Sequence, residues 1–90
     1  MSDKPEETLL EFPCRFPIKM MGRDGDTFRQ VALELVESHT GNIPEDSISV
    51  TRSRKGNFLS ITVTIDAESQ QQLDNIYQAL CDHEEILVAL

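Results

Sequence analysis

The chain has 90 residues, of which 39% are hydrophobic and 27% are charged, and its formal net charge at pH 7 is -8. This length supports one domain with a modest core, and the composition argues against overall disorder. The negative charge repels phosphate groups, so neither nucleic acid nor an anionic membrane surface is an expected partner. The polar N-terminus lacks the apolar segment of a signal peptide, and two cysteines fit free thiols, so we expect a cytoplasmic protein.

The charge is distributed unevenly along the chain. All eight Lys and Arg residues lie at or before Lys55, and every charged side chain from Gly56 onwards is acidic. One interpretation is an ordinary solvated surface. The other is a pair of complementary patches that meet in a homodimer or contact another protein.

The first third of the chain is predicted to contain a tail, an arm, a strand and a turn. Residues 1–8 are polar and predict a mobile N-terminal tail, and residues 9–90 then form a single domain. The apolar segment Leu9 to Pro13 is expected to pack as an irregular arm. Alternation predicts a first strand from about Phe16 to Met21, followed by a glycine-rich turn at Gly22 to Asp26. Asp26 or Thr27 is the predicted N-cap of the next element.

A first helix is predicted from about Thr27 to His39, because apolar residues recur there at helical spacing. Gly41 is placed to end this helix in the left-handed conformation. The second strand is predicted at about Ser47 to Ser53, with Ile48 and Val50 facing inward.

The strongest strand signal follows a turn at Lys55-Gly56-Asn57. From Leu59 to Ile65, aliphatic residues alternate strictly with hydroxyl residues, which predicts a long strand with one buried face. Asp66 is predicted to stop this strand and cap a second helix, with Ser69 as the alternative cap. That helix ends near Cys81, and the apolar segment Ile86 to Leu90 is predicted to be a buried strand.

The element order βαββαβ predicts an α+β fold, the ferredoxin-like sandwich. It has a four-stranded antiparallel sheet in the order 4-1-3-2 with both helices on one face. The other face is left open, and its predicted residues are hydrophilic: Lys19, Ser49, Thr51, Ser60, Thr62 and Thr64. Such a face is either half solvated or a platform for a partner, and it is interpreted as too hydrophilic for a large dry interface.

Reactive chemistry is sparse, so we expect no enzyme activity, no catalytic residues, no metal site and no cofactor. Cys14, Cys81, His39 and His83 are the only soft metal ligands, and Cys81 continues an apolar helical stripe. The segment Lys55 to Leu59 is similar to the start of an RNA-recognition signature but lacks its stacking aromatics at the required positions.

The basic hairpin is the first candidate site, because arginine forks suit carboxylates and phosphates. Its residues are Arg52, Arg54, Lys55, Gly56, Asn57 and Phe58.

The Leu-Glu-Phe-Pro arm at 10–13 and the Ser-Arg-Lys-Gly-Asn-Phe hairpin at 53–58 resemble the YbeD-like family of small uncharacterised bacterial proteins. The resemblance covers residues 9–90. It implies a ferredoxin-like fold similar to ACT regulatory domains and a regulatory or binding role linked to lipoate metabolism. It also implies a second candidate site at the turn after the first strand, formed by Gly22, Arg23, Asp24 and Gly25. This turn lacks the Pro-Gly pair common in ACT domains.

Two functions are therefore expected. The first is a non-enzymatic module that works as a homodimer or docks on a protein partner. The alternative is a sensor that binds a small anionic ligand at the turn after the first strand or at the basic hairpin.

Overall fold

The computed structural model describes residues 11–90. The predicted tail at residues 1–8 and the start of the arm at Leu9 and Leu10 lie outside the described residues, so that division of the chain stays a prediction. The elements are β1 (Cys14–Arg23), α1 (Asp26–Thr40), β2 (Ile48–Arg52), β3 (Phe58–Ala67), α2 (Gln70–Cys81) and β4 (Val88–Ala89). A single 3₁₀ turn, Glu45–Ser47, leads into β2.

The four strands form one antiparallel sheet in the order β2-β3-β1-β4. This is the predicted order 4-1-3-2 read from the opposite edge, and the ferredoxin-like fold is confirmed. The two central strands are paired along their whole length, from Cys14 opposite Ala67 to Arg23 opposite Phe58. Because both are ten residues long, they fix the length of the sheet.

One face of the sheet carries the hydrophobic core, and both helices cover it. The alternating residues of β3 from Leu59 to Ala67 are buried, as are Ile18 and Met20 of β1. Phe28 of α1 and Leu73 of α2 belong to the same buried cluster, so the two helices share one side of the sheet. No polar or charged residue among residues 11–90 is buried. Folding is therefore driven by burial of this one apolar layer.

β1 is four residues longer than the alternation pattern predicted, and it includes Pro17. The N–H and C=O of Lys19 pair with Leu90, so alternate residues of β1, including Pro17, direct their main-chain groups to the β4 side. The pairing with β4 ends opposite Lys19, so the missing N–H of Pro17 costs no hydrogen bond within the sheet.

The predicted cap of α1 at Asp26 or Thr27 is wrong, as is Asp66 for α2, whereas the alternative cap at Ser69 is confirmed. The N-cap of α1 is Gly25, with no side-chain hydrogen bond, and Asp26 is the first helical residue. Asp66 remains inside β3, and the hydroxyl of Ser69 instead caps α2 by accepting from the N–H of Gln72 at 3.0 Å. In both cases the strand or turn continues further than its propensities suggest. The predicted end of α1 is confirmed, because Gly41 has φ 83° and donates its N–H to Glu37.

The C-terminal segment differs most from its prediction as a buried strand. Only Val88–Ala89 is extended, and Ile86 is the one residue of the segment that is buried. Leu87, Val88 and Leu90 are exposed, the last by 70%. The segment lies at the edge of the sheet, where only β1 supports it, so its apolar composition did not translate into burial.

Candidate functional site

The fold brings the two predicted sites together at one end of the sheet. Arg23 pairs with Phe58 across the central strands, and the N–H of Asp24 donates to the carbonyl of Asn57 at 3.0 Å. The turn after β1 and the hairpin between β2 and β3 are therefore neighbours joined by main-chain contacts. The hairpin is predicted from its basic residues and the turn is implied by the family resemblance, and neither predicts their contact.

A salt bridge reinforces this junction. Nε of Arg52 lies 2.8 Å from Oδ2 of Asp24, and Nη2 lies 3.5 Å from Oδ1. The Asp24 side chain is only 25% exposed, whereas that of Arg52 is 62% exposed. Arg52 therefore serves to hold the hairpin on the turn, and its charge is largely neutralised for any external anion.

The hairpin is closed by its own main chain. Ser53 donates its N–H to Phe58 at 2.8 Å, and its hydroxyl accepts the N–H of Phe58 at 3.1 Å. Gly56 has φ 76° and donates its N–H to the carbonyl of Ser53. The predicted turn at Gly56 is thus observed, because a left-handed residue is needed where the chain reverses.

Gly22 has a packing role in this structure. A Cβ built on Gly22 would lie 2.3 Å from Cδ1 of Phe28 and 2.7 Å from the carbonyl oxygen of Glu85. The residue is buried on the helix side of the sheet. Its backbone therefore allows α1 and the loop before β4 to approach the strand closely, and a ligand outside cannot reach it. Gly25, in contrast, is exposed at the start of α1.

Three exposed cations remain around the junction: Arg23, Arg54 and Lys55. The ion pairs found within residues 11–90 are Arg15 with Asp66 and Arg52 with Asp24. These three cations consequently have no carboxylate partner within that part of the chain. No ion pair within residues 11–90 therefore neutralises their charges.

Apolar side chains lie beside these cations on the open face. Met21, Phe58 and Val88 are each about two-fifths exposed. Met21 is directly opposite Val88, and it pairs with Ser60, which is two residues from Phe58 on β3. Met21 and Phe58 line a shallow hollow of about 100 Å³. We call this group the hairpin-end surface: Met21, Arg23, Arg54, Lys55, Phe58 and Val88.

The predicted list of hydrophilic residues is therefore incomplete at this end, where Met21, Phe58 and Val88 are exposed. That the face is too hydrophilic for a large dry interface stays a prediction. The residues predicted as hydrophilic, such as Ser49, Thr62 and Lys19, do occupy the middle of the face. Met21 could have been found from the sequence, because alternation in β1 puts it on the same side as Lys19. Val88 could not have been found in this way, because the segment Ile86 to Leu90 is predicted to be a buried strand.

A larger hollow of about 220 Å³ lies at the opposite end of the sheet. It is formed by the end of α1, the 3₁₀ turn and the end of β3, and the exposed Arg15–Asp66 ion pair lies at its rim. Its volume is below the roughly 300–1,000 Å³ that is typical of small-molecule sites. None of the predicted site residues lines it.

The predicted soft ligands are dispersed. Cys14 is half buried, Cys81 is exposed, and neither is in a disulfide. Nδ1 of His39 lies 2.9 Å from the carbonyl of Leu35, and Nδ1 of His83 accepts the N–H of Glu85 at 3.1 Å. Within residues 11–90, no three His, Cys, Asp or Glu side chains converge in a group that could hold a metal ion. No helix in that range is long and apolar enough to cross a bilayer.

Comparisons with known proteins identify the family of this chain and a solved structure with a similar fold. The model of a family described as "Protein of unknown function (DUF493)" matches residues 7–90. A UPF0250 protein of Nitrosomonas europaea is 44% identical over 85 residues, which is 94% of this chain and 98% of the relative. A UPF0250 protein of Chromobacterium violaceum is 43% identical over 90 residues and all of both chains.

Among solved structures, the solution structure of protein HP0495 from H. pylori superposes with a TM-score of 0.64. The match covers 100% of this chain and 98% of that protein, at 16% sequence identity. At this level of identity the similarity supports the fold alone, which is again ferredoxin-like.

Proposed function

This chain belongs to the DUF493 family of proteins of unknown function, and we propose that it is a non-enzymatic protein-interaction module that docks through its hairpin-end surface. The family membership agrees with the resemblance to the YbeD-like proteins. The observation that supports docking is the juxtaposition of exposed Met21, Phe58 and Val88 with cations that have no carboxylate partner within residues 11–90. An apolar centre with a charged rim is the usual anatomy of a protein interface.

The chemistry of this surface indicates the partner. Because Arg23, Arg54 and Lys55 lie at the hairpin end beside an apolar patch, the best complement is a protein segment with apolar side chains followed by Asp or Glu. The chain itself has net charge -8. Long-range repulsion would keep acidic proteins away in general, so a partner must be recognised locally. The regulatory role and the lipoate link implied by the family resemblance fit such docking and belong to this proposal.

Affinity capture with matched variants tests the docking surface. The variant Met21→Ser with Phe58→Ser removes the apolar patch, and Arg23→Glu reverses one cation of the rim. We expect both to lose a partner that the wild-type chain retains. Ser49→Ala with Thr62→Ala is the control, because both residues lie on the same face away from the hairpin. Equal capture by all four proteins would exclude this surface.

The alternative function is a sensor of small anionic ligands at the same end of the sheet. It is favoured by the proximity of the turn at Arg23 to the hairpin cations. The carboxylate of Asp24 argues against the sensor function, because it forms a salt bridge with Arg52 and repels an anionic ligand. A thermal-shift screen with lipoate, amino acids and nucleotides distinguishes the two functions. A ligand at one hundred times its Kd should add about 2.7 kcal/mol to the free energy of unfolding. A shift that Arg54→Gln abolishes would favour the sensor.

A further inference from the structure

The outer edge of β2 is open in the structure. Within residues 11–90, β2 pairs with β3 only. The N–H of Ser53 points to β3, since it donates to Phe58 at 2.8 Å. Because direction alternates along an antiparallel ladder, the main-chain groups of Ile48, Val50 and Arg52 point away from the sheet. The N–H of Ile48 already donates to the carbonyl of Glu45 in the 3₁₀ turn. Within residues 11–90, the other outward donors and acceptors of these three residues have no partner strand.

This edge also lacks the features that usually prevent pairing. β2 contains no proline and no lysine, and all five of its residues pair regularly with β3. Val50 is 40% exposed, although its neighbour Ile61 on β3 is completely buried on the same face. The helices therefore leave an apolar side chain uncovered at the edge.

We propose that β2 pairs with β2 of a second copy, antiparallel about a two-fold axis at Val50. In this register Val50 faces Val50 of the other copy, Ser49 faces Thr51, and Ile48 faces Arg52. The outward main-chain groups meet. The two Val50 residues exchange two hydrogen bonds, and at each end the N–H of Arg52 donates to the carbonyl of Ile48, whose own N–H is bonded to Glu45. The hydroxyls of Ser49 and Thr51 form cross-strand pairs, and the two valines cover each other.

The charges that flank β2 indicate that a second copy of the chain is the partner of its outer edge. Exposed Glu45 and Asp46 precede the strand, and exposed Arg54 and Lys55 follow it. In the register centred on Val50, the acids of one copy approach the cations of the other at both ends of the interface. Arg52 adds no unpaired charge, since Asp24 neutralises it. A shift of one residue would set an outward residue such as Val50 opposite Thr51, whose main-chain groups point to β3, so the hydrogen bonds between the copies could not form.

This pairing does not rest on the docking function proposed above. It would join two sheets into one of eight strands and leave Met21, Phe58 and Val88 free on the open face of each copy. Arg54 and Lys55 would be shared between the two contacts. The variants that test the pairing therefore include residues outside the hairpin-end surface.

Sedimentation equilibrium of the full chain and its charge variants tests the register. Wild-type protein should sediment as a dimer at high concentration. Glu45→Lys with Asp46→Lys should weaken self-association at least about tenfold by replacing attraction with repulsion, and so should Arg54→Glu with Lys55→Glu. Mixed together, the two variants are complementary at both ends of the interface and should form a heterodimer. A monomeric wild-type chain, or a mixture that stays monomeric, would overturn the proposal.

Val50→Pro tests the main-chain pairing separately. The N–H of Val50 faces solvent, so proline keeps the bonds between β2 and β3 but blocks a strand on the outside. We expect a folded monomer by circular dichroism and sedimentation. A folded Val50→Pro protein that still dimerises would contradict pairing through this edge. The charge variants decide the matter if Val50→Pro does not fold.

Discussion

The two edges of the sheet are built in opposite ways. The β4 edge is two residues long, and beyond it β1 continues through Pro17, which has no N–H to offer. The hydroxyl of Tyr77 also donates to the carbonyl of Leu90 at 2.6 Å, and Lys19 pairs with Leu90 through both main-chain groups. The β2 edge has five residues and none of these features. The difference indicates that one edge is protected against pairing and the other is available for it.

The largest effect on this comparison is expected from Gly22→Ala. The new Cβ would overlap the Phe28 ring and the carbonyl of Glu85, which leads into the β4 edge. Overpacking of this kind should lower the free energy of unfolding by about 3 kcal/mol, measured by urea denaturation. Met21→Ala is the control, because the neighbouring side chain lies half exposed on the open face and should cost much less. An unchanged urea midpoint for Gly22→Ala would contradict the close packing.

Tyr77→Phe should loosen the β4 edge alone. Loss of the hydrogen bond to Leu90 should cost about 1 kcal/mol, while the edge-to-face contact with Phe16 at 6.5 Å is kept. By hydrogen exchange, the amides of Leu87 and Leu90 should exchange faster, since both are bonded to β1. Amides of β2 that bond to β3 should not change. Faster exchange at both edges would show that the edges are not independent.

The same tyrosine gives the edge a dependence on alkaline pH. Burial raises the pKa of Tyr77 above its ordinary value. A raised pKa in the folded state stabilises the protein below the pKa of the unfolded chain, near pH 10, and this contribution is lost as pH rises further. The free energy of unfolding should thus fall more steeply above about pH 10 in wild type than in Tyr77→Phe. Parallel curves for the two proteins would exclude this role.

The smallest expected effect concerns the end of β2, where Arg52 joins Asp24. A double-mutant cycle with Arg52→Gln and Asp24→Asn should give a coupling energy of about 0.5 kcal/mol, as is usual for partly exposed ion pairs. Added salt should reduce it. A coupling energy indistinguishable from zero would mean that the hairpin is held on the turn by its main chain alone.

The sequence predicted the fold well where its pattern was regular. The alternation from Leu59 to Ile65 and the helical stripe through Phe28 correspond to buried faces in the structure. The pattern could not predict burial at the edges. Val50 has the inward register but lies beyond the cover of the helices, and Leu90 is apolar but exposed. Whether these side chains are buried depends on which elements pack beside them, and the linear pattern carries no information about those neighbours.

The candidate site was predicted in its parts and not as a whole. The local sequence predicts the turn at Gly56 from its conformational freedom and the role of Arg54 from its charge. The contacts of Asp24 with Arg52 and of Gly22 with Glu85 join segments that are distant along the chain. Such contacts depend on the order of strands in the sheet, so they appear only once the topology is known.

The hydroxyl residues in the middle of the open face also affect how this protein can change over generations. A threonine codon becomes an isoleucine codon by a single base substitution, and both residues favour strands. Thr62 and Thr64 could therefore extend the apolar patch towards the centre of the face without disturbing the backbone. The area available for docking can thus grow in small genetic steps, up to the point where an exposed patch promotes aggregation.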